Sequence, residues 1–248
     1  MPSWTAELVV DEPLVRRLLA QFPELDPESL RPFAEGWDYS IWAVDERWAF
    51  RFPRREMAVP GTRREIAVLP ELAPLLPIPV PAPVFVGEPA DGFPWPFFGS
   101  ALLPGRELAD ADLEEAARLE VGRALGRFLR VLHDAERLPD SQVSTVVHGD
   151  LHFRQVLVDG NAHPTGVIDW VDVCRSDPAI DLSMLWSYFP AEGREAFLDE
   201  YGPVSDEQLL RARVVAFSLS AALAHYGYRE GFSAIEREAL AGLDRAAE

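Results

Sequence analysis

The chain reads as an α+β protein of two lobes, a small β-rich one at the N-terminus and a larger helical one at the C-terminus. Three features predict this. EGWDYSIWAVD, starting at Glu35, and RWAFRFP, ending at Pro53, alternate apolar and polar residues around a turn at Asp45 to Arg47, the pattern of a twisted hairpin. Nine prolines then crowd between Pro70 and Pro96, a stretch short of amide donors that is expected to contribute only edge strands and extended turns. Beyond Pro104-Gly105 the apolar spacing becomes three and four, the helical period. Residues 1–100 are thus expected to form one domain and 101–248 the other, joined by a hinge at about 101–105. With 248 residues, 48% of them hydrophobic, both can bury a core.

Element by element, DEPLVRRLLAQF (residues 11–22) predicts a short amphipathic helix, with Pro13 near its start and Leu14, Leu18 and Phe22 on one face. The hairpin follows, then a helical pattern over residues 61–73, GTRREIAVLPELA. Because proline donates no amide hydrogen bond, the next stretch is expected to supply only edge strands, such as PVFVG and FPWPFFGSALL. Residues 112–135 predict a long helix opened by Asp112 with Glu115, its face lined by Leu113, Ala117, Val121, Leu125, Phe128 and Leu132. Ser205 with Gln208, and Ser233 with Glu236, open two more by the same capping logic.

Charge narrows the chemistry. All 23 basic residues are arginine, so Schiff-base formation, a lysine general base and a GKS or GKT phosphate loop are excluded. Against them stand 41 acids, a net charge of -18 that disfavours a nucleic-acid partner. Residues 1–99 hold nine arginines and fifteen acids; residues 100–248 hold fourteen and twenty-six. A cationic substrate suits that second half. Cys174 is the single cysteine, the N-terminus is acidic, and no stretch approaches the roughly 20 apolar residues of a membrane span. A soluble cytoplasmic protein without a membrane partner, a monomer or weak homodimer, is expected.

The chemistry concentrates in His148-Gly149-Asp150-Leu151-His152-Phe153-Arg154-Gln155, set between the apolar runs VSTVV and VLVD. Nineteen residues after Asp150 comes Asp169, in VIDW. A GNAHPT turn would join VLVD and GVID into a hairpin and bring the two acids to one edge of a small sheet. One acid can then align or deprotonate a hydroxyl while the other holds Mg2+ against nucleotide phosphates. His148 and His152 also form an HxxxH pair, but zinc would need a third ligand, and the chain has only five histidines and one cysteine.

HGDLHFRQVLVD followed by GVIDW resembles the aminoglycoside phosphotransferase and choline kinase group within the protein-kinase-like fold. The similarity runs from about residue 30 to 230. AEGWDYSIWAVD resembles the nucleotide-covering loop of that group, RWAFRFPRR its third strand, TRREIAVLPELA its glutamate-bearing helix, GSALLPG its hinge and SDPAIDLSMLW the segment after the metal aspartate. The resemblance implies Asp150 as catalytic base, Asp169 as Mg2+ ligand, and ATP or GTP as phosphoryl donor. It places Gly36 to Ser40 over the phosphates, Arg51 on the α- and β-phosphates with Glu65 paired to it, and backbone of Ala101 and Leu103 against adenine. Leu157 and Ile168 form an apolar floor, and Asp181 braces the loop. The acceptor is a small hydroxyl-bearing molecule, with His152, Asp172, Trp186, His225 and Tyr228 as candidate contacts. A resistance enzyme and a metabolic kinase fit equally.

Two positions depart from the pattern. Arg51 stands where lysine is usual; its guanidinium still binds phosphate, in a planar fork. Gln155 stands where the second metal ligand is asparagine, offering the same carbonyl oxygen on a longer arm. This departure keeps open a different class, a nucleotide-binding pseudokinase with a regulatory or scaffolding role.

Overall fold

A computed structural model describes residues 6–25, 28–135 and 145–248. The chain forms two compact units, Met1–Ala73 with Pro81–Leu102, and Pro74–Val80 with Leu103–Glu248.

The first unit contains, in chain order, α1 (Glu12–Leu19), β1 (Leu30–Glu35), β2 (Tyr39–Val44), β3 (Trp48–Pro53), α2 (Val59–Leu72), β4 (Pro83–Gly87) and β5 (Phe97–Ala101). The five strands make one antiparallel sheet in the order β1-β2-β3-β5-β4. Asp11 caps α1 by accepting the Leu14 N–H at 3.0 Å, and Leu14, Val15, Leu18 and Leu19 are buried beneath it. They join Trp42, Phe50, Phe52, Phe85, Phe93 and Phe97 in a single aromatic core. The expected hairpin is present, β2 pairing with β3 from Tyr39–Pro53 to Val44–Trp48, with Asp45 and Glu46 in left-handed conformation at its turn.

One expectation is corrected here. FPWPFFGSALL does not form an edge strand: β5 lies inside the sheet between β3 and β4. Its prolines, Pro94 and Pro96, precede the paired residues, so Phe97–Ala101 keep their amide donors. PVFVG, as β4, does take the edge.

The second unit contains β6 (Arg106–Glu107), α3 (Leu108–Ala111), α4 (Glu115–His133), β7 (Thr145–Val147), β8 (Val156–Val158), β9 (Pro164–Val167), β10 (Cys174–Ser176), α5 (Ala179–Leu182), α6 (Met184–Ser187), α7 (Ala191–Tyr201), α8 (Asp206–Glu230) and α9 (Ser233–Ala247). Two small antiparallel sheets, β6-β8-β9 and β10-β7, carry the motif residues. Asp159 turns β8 into β9 by accepting the N–H groups of Asn161 and His163 at 2.8 and 2.9 Å. Around them α4 packs on α7, and α8 on α9. Glu238 of α9 accepts from Arg118 of α4 at 2.9 and 2.7 Å and from Arg245 at 2.8 Å, tying these helices together.

The capping expectations hold only in part. Ser205 does cap α8, accepting the Gln208 N–H at 3.2 Å. Asp112 instead ends α3 in left-handed conformation, α4 begins after Glu114 with no side-chain cap, and Ser233 already lies inside α9. Among the described residues no helix is long and apolar enough to cross a membrane.

The aromatic core leaves no room at Gly99 in β5, where an added Cβ would come within 2.5 Å of Phe50 Cζ. Gly99→Ala is expected to lower stability by about 1–3 kcal/mol in chemical denaturation, whereas Gly160→Ala, where nothing lies within 4 Å, should be close to neutral.

Candidate active site

The loop between β7 and β8 is held from beneath by a buried carboxylate. Asp181, fully buried in α5, accepts the N–H of His148 at 2.7 Å on Oδ2 and that of Gly149 at 3.0 Å on Oδ1. His133 Nε2 lies 3.2 Å from Oδ2, and its Nδ1 is 2.7 Å from the Tyr201 hydroxyl. Gly149 is obligatory on two counts. Its φ is +93°, and a Cβ there would meet the Asp172 carbonyl oxygen at 2.4 Å. His148 is buried against Trp170, ring centroids 4.6 Å apart. It donates from Nε2 to the Ile168 carbonyl at 2.9 Å, while Nδ1 accepts the Asp150 N–H at 3.3 Å. These partners require the neutral tautomer, which makes His148 a structural imidazole.

Ile168 clasps the other end of the loop as well, donating its N–H to the Gln155 carbonyl at 2.8 Å. The residue before Asp169 is therefore bonded to both ends of the segment bearing Asp150. Asp169 itself has φ +67°, a left-handed conformation costing of order 1 kcal/mol or more in a residue other than glycine. Trp170, donating its indole N–H to the Val167 carbonyl at 2.9 Å, helps hold it there. Gln155, at the end of the same loop, is only 7% exposed, and its Oε1 has no hydrogen-bond partner among the described residues. An orphaned buried acceptor is a site for a cation or water.

Partial burial, and then the charges of Asp169, Asp172 and Asp181, push the Asp150 carboxyl up to about 7, against the opposing pull of Arg154. His152 Nε2 lies 3.7 Å from Asp150 Oδ2. Burial, then the charge of Arg154, holds this imidazole down to about 3, so it stands beside Asp150 as a neutral group.

On the small sheet Leu157 is registered opposite Gly166. A Cβ at Gly166 would meet Leu103 Cδ1 at 2.9 Å and Leu157 Cδ1 at 3.4 Å. The structure thus brings Leu103 and Leu157 together over a glycine, with Ile168 two residues further on. Gly166 was not singled out in the sequence; its signal was a glycine inside a strand pattern.

In the first unit, Arg51 of β3 meets Glu65 of α2 at 3.3 Å, the pair being 12% and 0% exposed, and its guanidinium lies 3.8 Å from the Tyr39 ring centroid. Gly36 is exposed in the turn after β1, where its carbonyl accepts from Arg54 at 2.7 Å. Ser40, expected among the phosphate-covering residues, is buried in β2, and its hydroxyl accepts the Trp42 indole N–H at 3.1 Å. Ala101 ends β5 and is exposed.

The acceptor candidates are less united. Asp172 is exposed and packs its backbone on Gly149. Trp186 is half-buried on α6, while His225 and Tyr228 are exposed on α8. Among the described residues, no side-chain hydrogen bond or ring contact ties these last three to the loop. Arg154 and Glu107, which sequence reasoning assigned no role, do meet at the loop, Nε to Oε2 at 3.2 Å.

Against known proteins, residues 29–139 and 134–213 match the model of the phosphotransferase enzyme family. Viomycin phosphotransferase of Streptomyces vinaceus is 37% identical over 93 residues, 36% of this chain and 32% of that protein. The chain spans a third or less of the length of the curated relatives it matches. An aminoglycoside phosphotransferase solved with GDP and kanamycin superposes with a TM-score of 0.69 at 21% identity, over 94% of this chain and 97% of that one. The macrolide 2'-phosphotransferase of Brachybacterium faecium superposes at 0.67 and 20% identity, over 92% and 97%. These likenesses establish the kinase-like fold, and the family match establishes the lineage: the chain belongs to the phosphotransferase enzyme family.

Proposed function

We propose that the protein is a phosphotransferase that moves the γ-phosphoryl group of ATP or GTP to a hydroxyl of a small acceptor, with Mg2+ held by Asp169 and Gln155. The observation that carries this reading is the Ile168 clasp, which fixes Asp150 and Asp169 relative to each other through hydrogen bonds to both ends of one loop. Aminoglycoside-like molecules and other small alcohols are the acceptor class, because the relatives include viomycin and macrolide phosphotransferases and an enzyme solved with kanamycin. Residues 1–100 serve nucleotide binding, and 101–248 catalysis and acceptor binding. In this reading the enzyme works in the cytoplasm as a monomer or weak homodimer.

Asp150 orients the acceptor hydroxyl and takes its proton as the oxygen bonds to the γ-phosphorus, while the bond from that phosphorus to the bridging oxygen breaks and the nucleoside diphosphate leaves. Arg51, kept in place by Glu65, supplies a planar fork for phosphate oxygens. Backbone groups of Ala101 and Leu103 face the base, Leu157 and Ile168 give it an apolar surface, and the Gly36 turn presents backbone to the phosphates. The residues fit a hard divalent cation: a carboxylate and an otherwise unpartnered amide oxygen, with phosphate and water oxygens left to complete the shell. When bound, Mg2+ would neutralise charge on the phosphates.

Turnover is tested by mass spectrometry of an acceptor panel with ATP and GTP. Asp150→Asn should lower product formation by roughly 10²- to 10⁴-fold while nucleotide affinity stays within about twofold; an unchanged rate would remove Asp150 from the chemistry, and nucleotide binding with no product from any acceptor would favour the pseudokinase.

Because the base acts ionised, kcat/KM should rise with pH through the Asp150 ionisation, which lies near 7 in the metal-free protein and lower once a cation offsets Asp169. Asp172→Asn removes a charge that opposes this ionisation, so the pH-rate midpoint should move to lower pH.

Gln155→Met should weaken Mn2+ binding, followed by the spin resonance of the free ion, by roughly tenfold. The same change should leave the metal-free protein as stable or more so, since it deletes a buried unsatisfied acceptor.

A further inference from the structure

Arg154 lies in the loop between Asp150 and Gln155, and its hydrogen-bonding capacity is only partly used. Nε reaches Glu107 at 3.2 Å, and the guanidinium lies 5.6 Å from the Tyr226 ring centroid on α8. Among the described residues neither Nη makes a hydrogen bond. The side chain is 33% exposed, so the unused edge of its fork is open to a ligand. It is also the only arginine in the loop from His148 to Gln155, and the chain has no lysine to share its part.

A guanidinium fixed through Nε and across a ring face, with both Nη groups free, is pre-organised for the paired oxygens of a carboxylate or phosphate. Its setting makes such a group distinctive, since Glu107, Asp110, Asp150, Asp169 and Asp172 surround the loop with negative charge. That field acts at long range, draws cations and is screened by salt over about 8–10 Å. A bidentate contact to Arg154 is local and survives screening.

We infer that Arg154 is a specificity-determining residue: it binds an anionic group, carboxylate or phosphate, that the acceptor carries close to the hydroxyl to be phosphorylated. The inference rests on the phosphotransferase reading of Asp150 and narrows its acceptor class to small hydroxy acids and phosphorylated polyols. An ammonium elsewhere on the same acceptor would satisfy the surrounding acids.

The test compares glycerate, serine and glycerol phosphate with ethanolamine, kanamycin and glycerol as acceptors, with ATP or GTP and Mg2+. Binding of each to the Asp150→Asn protein with nucleotide is followed in parallel by thermal shift. The anionic probes should exceed the amino alcohol and the neutral polyol by about tenfold or more in kcat/KM and should stabilise the Asp150→Asn protein. Arg154→Gln should lower kcat/KM for the anionic probes by roughly 10- to 100-fold, remove their thermal shift and leave nucleotide affinity unchanged. A hydroxy-acid response without a glycerol phosphate response identifies the anion as a carboxylate, and the reverse a phosphate.

The inference is overturned by preference for kanamycin or ethanolamine, or by failure of every anionic probe to bind. It is also overturned if Arg154→Gln lowers all acceptors equally, as mere support of the loop would, or weakens nucleotide binding alone, as contact with donor phosphate would. In each case nucleotide turnover that Asp150→Asn abolishes leaves the phosphotransferase reading standing; failure of the protein to bind nucleotide at all removes both.

Discussion

The candidate site depends on one buried carboxylate. Asp181 has no exposed surface, yet it is ionisable, and it is tolerable only because two backbone amides and the His133 imidazole meet it. Those same amides belong to His148 and Gly149, so satisfying Asp181 sets the path of the chain into Asp150. From there the constraint propagates. With its backbone fixed, His148 can reach the Ile168 carbonyl; with Ile168 also bonded to Gln155, the segment leading into Asp169 has little freedom. A left-handed aspartate then persists because its neighbours over-determine it.

The sequence showed this site more clearly than it showed the scaffold. Asp150 and Asp169 lie close along the chain on either side of a local hairpin, so spacing pointed to them, while the roles of Gln155 and Asp181 came from the resemblance of HGDLHFRQVLVD and SDPAIDLSMLW to the phosphotransferase pattern. The aromatic hairpin and α1 were legible for a similar reason, their periodicity being local. What failed depended on partners. The position of β5 inside its sheet follows from which strands it pairs with, which a count of prolines cannot reveal. Asp112 and Ser233 carry good capping chemistry, but the chain had already turned or had already entered the helix.

The absence of lysine takes on local meaning in the structure. In the first unit Arg51 is steadied by Glu65 and by the Tyr39 ring, and in the second Arg154 is steadied by Glu107 and the Tyr226 ring. Each guanidinium meets a carboxylate and an aromatic face, which limits the side-chain entropy lost when its fork engages an anion. The surplus of acids in residues 100–248 is likewise a matter of position: Asp169, Asp172 and Asp181 act on the ionisation of Asp150.

The most direct measurement of the central constraint is amide hydrogen exchange at His148, Gly149 and Ile168 in the native protein and in Asp181→Asn, with turnover recorded on the same samples. If Asp181 sets the loop, the native amides exchange only through global unfolding. In the variant, His148 and Gly149 then lose protection while the helices keep theirs, and turnover falls with them. Protection of His148 and Gly149 that survives Asp181→Asn, or full turnover without it, would contradict the account.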